Sequence, residues 1–403
     1  MAVSGFVTPE FQQVLSAFAE GQKNDAGGAQ LAVYHKGVKV VDIWTGNDPV
    51  RQRPFDGEGY VMFMSSTKGL TAIAAHVLVQ RGLLDINAPV SKYWPEFAQN
   101  GKENITVSML LSHTAGLGAV PAECEMKMPD LADWNKNTHW LEEMAPLWEP
   151  GTKLMYHPVT FGFLVGEVVR RISGKTVGTF LREEIAKPCG LDLWIGLPAE
   201  LEPCVIPMMK KTLPQSAGSA ARAGPPILPA GGTQLDSSES AIMGAYKIVF
   251  DFDGLTAFLD TPRAHEAEIP AANGIGDVRI IAKLYAHVIG DVDGKPRILS
   301  EEIVKAASVP QTDGLEVPSP FSKIMPSTMF RFALGFEKPR PAVPMLGESS
   351  FGHSGAGGRL AFADIDSGLA VGYLCNNPTW EPPNGPDPRW VPWLKALKDI
   401  VKQ

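Results

Sequence analysis

The sequence predicts an α+β protein in which one antiparallel sheet, formed from both chain ends, is flanked by helices and accompanied by a small helical subdomain. Apolar strand-like runs and an amphipathic helix occur near each end of the 403 residues, and the stretch between them is mainly helical. Elements from both ends can therefore pack into one layer around a shared core. We expect residues 1–85 and 170–403 to form a discontinuous α/β domain and residues 86–169 a small helical domain.

The first predicted elements are a helix, a hairpin and a second helix. Thr8 and Pro9 are typical of a helix start, and the apolar residues that follow recur at helical spacing. Two apolar runs then flank Lys36-Gly37, which predicts a β-hairpin over residues 31–44. Residues 70–80 are almost entirely apolar and contain no proline, so they predict a buried helix.

The middle of the chain predicts further helices, and its last part returns to strands. Residues 213–232 contain four prolines and many small residues, which predicts a long surface loop that either overhangs a site or is a disordered insertion. The predicted helices cover residues 106–113, 161–172, 176–185, 276–289 and 393–401. The predicted C-terminal strands cover residues 332–336, 359–363 and 369–374.

Composition and charge argue against several classes of function. The net charge is -8 and no basic run occurs, so we expect no general binding to nucleic acid or to anionic membranes. Neither a secretory signal nor an apolar stretch long enough to cross a bilayer is visible, which predicts a cytoplasmic protein. The four cysteines lack metal-ligand spacing, so we expect no metal and no disulfide framework. The oligomeric state is not readable from the sequence.

Ser65 and Lys68 are the first candidates for catalysis. They lie three residues apart at the start of the predicted 70–80 helix, where both side chains share one face. A lysine in an otherwise apolar helix is expected to be buried and therefore needs a polar partner. A serine with a basic partner at a helix N-terminus has the features of an activated nucleophile. A capping serine followed by a surface lysine is the alternative interpretation, and Ser66 is the nearest alternative nucleophile.

Two further stretches complete the group of candidate site residues. Tyr156 precedes a predicted buried helix, within the sequence Tyr156-His157-Pro158. A glycine-dense loop, residues 351–358, enters a predicted strand, where a backbone can approach a ligand closely.

With Ser65-x-x-Lys68 and the stretch 111–117, these motifs resemble those of the class C β-lactamase and penicillin-binding-protein superfamily of serine hydrolases. The resemblance is closest to the esterase branch, the family VIII carboxylesterases, and extends roughly from Gly28 to Asn377. It implies the β-lactamase/penicillin-binding-protein-like fold. An α/β-hydrolase is disfavoured, because no Gly-x-Ser-x-Gly sequence is present.

The resemblance also implies a role for each motif residue. Ser65 would be the acylated nucleophile, and Lys68 and Tyr156 would together handle its proton. The backbone N–H groups of Ser65 and Ala356 would form the oxyanion hole. Free lysine and tyrosine have pKa values near ~10.4 and ~10, so burial or mutual interaction must lower one of them, and the sequence leaves open which is the base. The residues expected to contact substrate are His157, His353 and Gly355.

Several of these residues have a structural alternative. His157 is as well explained as a helix-start residue, and His353 could make a purely structural hydrogen bond. His113 is better explained as a tie within the helical subdomain than as a catalytic group. The tryptophans near the C-terminus could line an acyl pocket, although packing against the last helix is the simpler explanation; they are Trp380, Trp390 and Trp393.

Two departures from the lactamase pattern predict the substrate class. Where that family has Tyr-x-Asn, Pro158 offers no side-chain amide to orient a substrate carboxamide. Where it has Lys-Thr-Gly, His353 replaces the lysine that would pair with an antibiotic carboxylate, and imidazole is largely neutral at pH 7. We therefore expect a serine carboxylesterase that hydrolyses short-chain or aryl esters without any cofactor, with poor or no β-lactamase activity.

Other functions stay open at this point. An acyltransferase of the same fold would pass the acyl group to an alcohol instead of to water. An amidase, peptidase or β-lactamase of the superfamily would cleave amide bonds. A catalytically silent binding protein would retain the fold alone, but the joint presence of Ser65, Lys68 and Tyr156 argues against it.

Overall fold

A computed structural model describes residues 2–210, 235–248, 251–323, 325, 327–380 and 385–402 of the chain, so the predicted loop at 213–232 lies outside the described residues. The strands are β1 (Ser4–Val7), β2 (Gly28–His35), β3 (Val38–Asp48), β4 (Arg53–Pro54), β5 (Val61–Met62), β6 (Ile275–Gly276), β7 (Ser350–Gly355), β8 (Arg359–Asp364) and β9 (Leu369–Cys375). The α-helices are α1 (Gln12–Gln22), α2 (Thr67–Gln80), α3 (Val107–Leu111), α4 (Trp134–Glu143), α5 (Thr160–Ser173), α6 (Val177–Phe180), α7 (Lys187–Cys189), α8 (Ser237–Tyr246), α9 (Phe252–Leu259), α10 (Pro262–Glu266), α11 (Val278–Ile289), α12 (Glu301–Ala307) and α13 (Val391–Val401).

A seven-stranded antiparallel sheet joins the two ends of the chain. Its strands follow the order β1-β3-β2-β9-β8-β7, and the short β4 pairs with β3. The N-terminal and C-terminal strands meet where β2 pairs with β9, with Ala32 opposite Gly372. This pairing confirms the predicted α+β class and a sheet assembled from both chain ends.

Helices cover both faces of this sheet. On one face, α1 and α13 pack together over an apolar cluster that contains Phe18 and Tyr373. On the other face, α11 lies against β2 and β9, and α2 packs against α5. Because β9 is covered on both faces, all seven of its residues are buried. Trp393 of α13 belongs to the same cluster as Trp380 and Trp390, so the three tryptophans pack this helix.

The predicted strand at residues 332–336 is wrong. Gly335 has a φ of 87°, which interrupts an extended run, and among the described residues this stretch forms an isolated bridge between Phe332 and Glu337 in place of a strand. The sheet instead uses β7, which the sequence indicated as part of a glycine-dense loop. A Cβ atom on Gly352 would overlap the backbone of β8, so the glycine that weakens a strand signal is required for this close approach.

The helix bounds differ from those that the sequence patterns suggest, with some helices shorter and others longer. The predicted helix at 106–113 is reduced to α3, and the predicted helix at 176–185 is divided into α6 and a π-helical segment, Leu181–Ala186. α2 and α5 have 14 residues each. Within the described ranges no helix combines the length and apolar character needed to cross a membrane.

The segment predicted as a helical domain, residues 86–169, contains α3, α4 and the beginning of α5. One apolar cluster extends from this segment into α2 and includes Leu110, Leu164 and Leu70. The segment is therefore packed directly against the helix that begins beside Ser65, and the division into two domains stays a prediction.

Candidate active site

Ser65 lies where β5 ends and α2 begins. A short 3-10 turn, Met64–Ser66, carries it. Met64 has a φ of 52°, and a left-handed conformation of a non-glycine residue costs on the order of 1–3 kcal/mol. Ser65 is partly exposed, whereas its two neighbours are buried. The hydroxyl of Ser66 donates to the carbonyl oxygen of His353 over 2.9 Å. The turn therefore presents Ser65 to a ligand and commits Ser66 to a structural contact.

Lys68 is fully buried one turn further along the chain. Its Nζ lies 3.3 Å from Oγ of Ser65, and it donates to the carbonyl oxygens of Pro158 at 2.7 Å and Ala271 at 3.0 Å. Burial lowers the pKa of Lys68 well below its usual value, and the negative charge of Glu337 opposes this only in part. A neutral amine has two N–H donors for the two carbonyls and one lone pair for the Ser65 hydroxyl.

Tyr156 completes a three-residue group with Ser65 and Lys68. The Nζ of Lys68 lies 4.7 Å from the centroid of the Tyr156 ring, and the phenol hydrogen-bonds with the Ser65 side chain. Burial raises the pKa of Tyr156, and the hydrogen bond with Ser65 lowers it by less. The ring stacks on Phe332 at 5.8 Å and on Phe330 at 5.7 Å. The structure thus brings the three residues together, and their catalytic roles stay predictions.

His157 and His113 fix the backbone around Tyr156. Nδ1 of His157 donates to the carbonyl of Met155 over 2.7 Å, and Nε2 accepts the N–H of Leu117 at 3.2 Å. The backbone N–H of His157 donates to Nδ1 of His113 at 3.2 Å. Burial lowers the pKa of His157 to about 4, so it is neutral at pH 7. Both ring nitrogens of His157 are occupied, which leaves no polar ring atom for the predicted contact with substrate.

The end of β7 lies against the turn that carries Ser65. A Cβ atom on Gly355 would overlap the carbonyl oxygen of Phe63, so a glycine is needed for the two backbones to approach. Ala356 follows directly and begins a tight turn into β8, in which Gly357 has a φ of 79°. Gly355 therefore allows the backbone of β7 to lie close to the turn that carries Ser65. Ala356 is the first residue after this contact.

A buried carboxylate that the sequence did not reveal lies behind β7. Glu337 is 2% exposed, and its Oε1 accepts from Nε and Nη2 of Arg340 at 2.9 and 2.6 Å. Its Oε2 accepts the backbone N–H of Ser354 at 2.8 Å. Burial alone raises the pKa of Glu337, but Arg340, His353 and the hydrogen bonds from Ser354 outweigh burial and lower it to about 2. The Glu-x-x-Arg spacing of Glu337 and Arg340 was the one sequence signal for this ion pair.

The assembled groups suit acyl transfer. A hydroxyl with an amine and a phenol beside it can attack a carbonyl carbon and move the released proton. Sequence reasoning missed the carbonyl of Ala271, which holds Lys68, and the aromatic wall of Phe330 and Phe332. No group of three or more His, Cys, Asp or Glu side chains in the described part of the chain is arranged to hold a metal ion.

Comparison with known proteins gives matches along most of the chain. The beta-lactamase family model matches residues 11–391. The esterase/beta-lactamase LipL of Mycobacterium tuberculosis is 32% identical over 384 residues, which cover 93% of this chain and 83% of LipL.

Solved structures are similar over the same extent. A family VIII carboxylesterase superposes with a TM-score of 0.79 at 31% identity, covering 99% of this chain and 100% of that one. EstA from Arthrobacter nitroguajacolicus has a TM-score of 0.80 at 26% identity and covers 100% and 99% of the two chains. A penicillin-binding-protein homolog from Caulobacter crescentus has a TM-score of 0.79 at 30% identity, with 99% and 100% covered. These similarities confirm the resemblance and the fold that the sequence predicts.

Proposed function

The chain is a serine hydrolase that belongs to the beta-lactamase family, and we propose that it is a carboxylesterase acting on short-chain or aryl esters through an acyl-enzyme on Ser65. The observation that carries this proposal is the 3.3 Å separation between Nζ of the buried Lys68 and Oγ of the partly exposed Ser65. The names of LipL and of the family VIII carboxylesterase support an esterase.

In the acylation step, Oγ of Ser65 attacks the ester carbonyl carbon and gives its proton to the neutral amine of Lys68. The carbonyls of Pro158 and Ala271 keep the two N–H groups of this amine, so its lone pair is directed at Ser65. The proton then reaches the departing alkoxide through the phenol of Tyr156, which hydrogen-bonds with Ser65. The alcohol leaves, and the acyl group remains on Ser65.

The negative charge of the tetrahedral intermediate is stabilised by backbone N–H groups of Ser65 and Ala356 in this proposal. Loss of one such donor costs on the order of 3 kcal/mol in other hydrolases. Contact between β7 and the turn of Ser65 supports this pairing, because Gly355 packs on Phe63 immediately before Ala356. Water then attacks the acyl-enzyme, and the same groups transfer protons in the reverse order.

The site favours neutral esters over β-lactam antibiotics. Burial lowers the pKa of His353 to about 4, so this position carries no positive charge for an antibiotic carboxylate. The carbonyl of Pro158 is committed to Lys68, and its side chain has no amide. The stacked rings of Tyr156, Phe330 and Phe332 offer an apolar wall for an acyl or aryl group.

A labelling and substrate panel tests the proposal. A fluorophosphonate should label the Ser65 peptide of the wild type and of Ser66→Ala, but not of Ser65→Ala, with folding checked by circular dichroism. Turnover of p-nitrophenyl esters of increasing chain length should exceed that of nitrocefin and of an anilide. Nitrocefin turnover comparable with ester turnover would refute the ester preference, and an added alcohol that captures most of the acyl group would identify an acyltransferase.

A further inference from the structure

His353 on β7 has a defined tautomer. Its Nδ1 lies 2.6 Å from the carbonyl oxygen of Ser354, and a carbonyl oxygen can only accept, so Nδ1 carries the proton. Oε2 of Glu337 lies 4.0 Å from the same nitrogen and favours the same tautomer. Because a neutral imidazole has one protonated nitrogen, Nε2 of His353 is a hydrogen-bond acceptor.

This acceptor has no hydrogen-bond partner among the residues that the structure describes. Nε2 of His353 is buried and unpaired, and the whole residue is 3% exposed. A buried polar atom without a partner destabilises the protein, so a site that retains one gains free energy when a ligand supplies the missing donor. The imidazole centroid lies 6.0 Å from that of Tyr156 and 6.2 Å from that of Phe332, within the aromatic wall of the candidate site.

The charges around His353 keep the ring neutral. Burial is the main cause that lowers its pKa to about 4, and Lys68 and Arg340 act in the same direction. Glu337 and the hydrogen bond with Ser354 oppose them. The nearby His113 is also kept neutral, because burial lowers its pKa well below the usual value.

We propose that Nε2 of His353 selects the substrate by accepting a hydrogen bond from a hydroxyl or amide N–H group on the acyl part of the ester. The inference rests on the proposed esterase function and adds a substrate class to it. An unsubstituted alkyl ester leaves Nε2 unpaired. A carboxylate on the acyl group is repelled by the lone pair of Nε2 and by the negative charge of Glu337. A site built around a polar contact rejects an analogue that lacks the partner group more strongly than an apolar pocket does.

Matched esters test this selection. The p-nitrophenyl esters of 2-hydroxybutyrate, 3-hydroxybutyrate and N-acetylglycine carry a donor, butyrate lacks it, and hemisuccinate replaces it with a carboxylate. For the wild type we expect kcat/KM for at least one donor ester to exceed that for butyrate by about tenfold, which corresponds to about 1.4 kcal/mol. Hemisuccinate should be the poorest substrate.

Two substitutions at one position supply the control. His353→Asn places an amide near Nδ1 and removes the acceptor, so the ratio of donor ester to butyrate should fall to about one. His353→Gln can place an amide oxygen near Nε2 and should retain the preference. Because each ratio is measured within one enzyme, it does not depend on the amount of active protein, and His353→Phe replaces the Asn variant if that protein does not fold.

The outcomes separate this inference from the function on which it rests. Ester turnover without preference for any donor ester, or the same preference in the acceptor-free variant, overturns the role of His353 alone. A folded wild type that hydrolyses none of the esters overturns the proposed function and the inference with it.

Discussion

The amine nitrogen of Lys68 lies 4.7 Å from the centre of the Tyr156 ring, and burial shifts the pKa values of these two groups in opposite directions. A lowered lysine pKa favours the free amine, and a raised tyrosine pKa favours the neutral phenol. Both shifts favour a neutral phenol over a phenolate in the resting site. In the proposed mechanism Lys68 is therefore the group that offers a lone pair to Ser65.

The pH dependence of ester hydrolysis should follow Lys68. We expect kcat/KM to fall as the pH drops through the lowered pKa of this residue, because an ammonium group cannot accept the Ser65 proton. Lys68→Arg should be inactive, since arginine stays protonated. Tyr156→Phe should reduce the plateau by about 10²–10⁴-fold and keep the acidic limb. These profiles are measured as kcat/KM against pH. If the decrease at acidic pH disappears in Tyr156→Phe, the phenol and not Lys68 is the base.

Acid should weaken the fold through Glu337. Its pKa is about 2 in the folded protein, below the usual value of about 4.5. The stabilisation that ionised Glu337 gives the folded protein is therefore complete above the pKa of this residue in the unfolded chain. It is lost as the pH falls through its pKa in the folded protein. We expect urea titrations to show the free energy of unfolding falling by on the order of 3 kcal/mol between about pH 5 and pH 2 from this residue. An identical pH dependence in Glu337→Gln would contradict this assignment.

Replacing Glu337 alone should be costly. Glu337→Gln leaves Arg340 buried without its charged partner, for which we expect a loss of about 3–5 kcal/mol in the free energy of unfolding. The double variant Glu337→Gln/Arg340→Met removes both charges and should recover most of that loss. Denaturant unfolding of the wild type, of the single variants Glu337→Gln and Arg340→Met and of the double variant measures the coupling, and additive effects would show that the pair is not a unit.

Gly69 should tolerate a side chain only when Tyr285 is shortened. A Cβ atom at Gly69 would overlap Oη of Tyr285, whereas the next ring atom, Cζ, is 3.2 Å away. Gly69→Ala should therefore destabilise the protein by about 1–3 kcal/mol. Within the described part of the chain Oη of Tyr285 has no hydrogen-bond partner, so Tyr285→Phe should be nearly neutral and should rescue the alanine variant. If the double variant is no more stable than Gly69→Ala, the overlap with Oη of Tyr285 is not the cause of the destabilisation.

The aromatic wall should distinguish aryl from alkyl acyl groups. Phe330 is partly exposed and stacks on Tyr156 at 5.7 Å, so Phe330→Ala removes a contact surface without opening the core. We expect kcat/KM for p-nitrophenyl benzoate to fall about tenfold, in line with 0.5–1.5 kcal/mol for an aromatic pair, and that for acetate to change less. Phe330→Leu is the matched apolar control. Equal losses of kcat/KM on both esters would show that Phe330 does not contact the acyl group.

Sequence patterns predicted those parts of the fold in which apolar residues recur at a regular spacing or form a continuous run. The hairpin of β2 and β3 and the buried run of α2 follow from alternation and from apolar continuity. β7 was misread because Gly352 and Gly355, which look like loop residues, are required by close approach to β8 and to the turn of Ser65. Strand propensity carries no information on such a contact.

The sequence predicts that two candidate site residues lie together when they are close in the chain. Ser65 and Lys68 are one turn apart, and the structure brings them together. The state of a histidine depends on distant partners, so nothing in the sequence distinguishes His157, with both ring nitrogens occupied, from His353, with one unpaired. The ion pair behind β7 likewise becomes visible only after the chain has folded.

The pairing of β2 with β9 joins strands that are translated at widely separated times. Ser65 is translated early, but the strand that completes the sheet beside β2 is translated more than 300 residues later. Long-range pairing of this kind forms slowly, because a large loop must close first. A nascent chain on the ribosome therefore carries Ser65 without the completed sheet, and on the proposed function we expect it to be unable to hydrolyse esters until β9 has emerged.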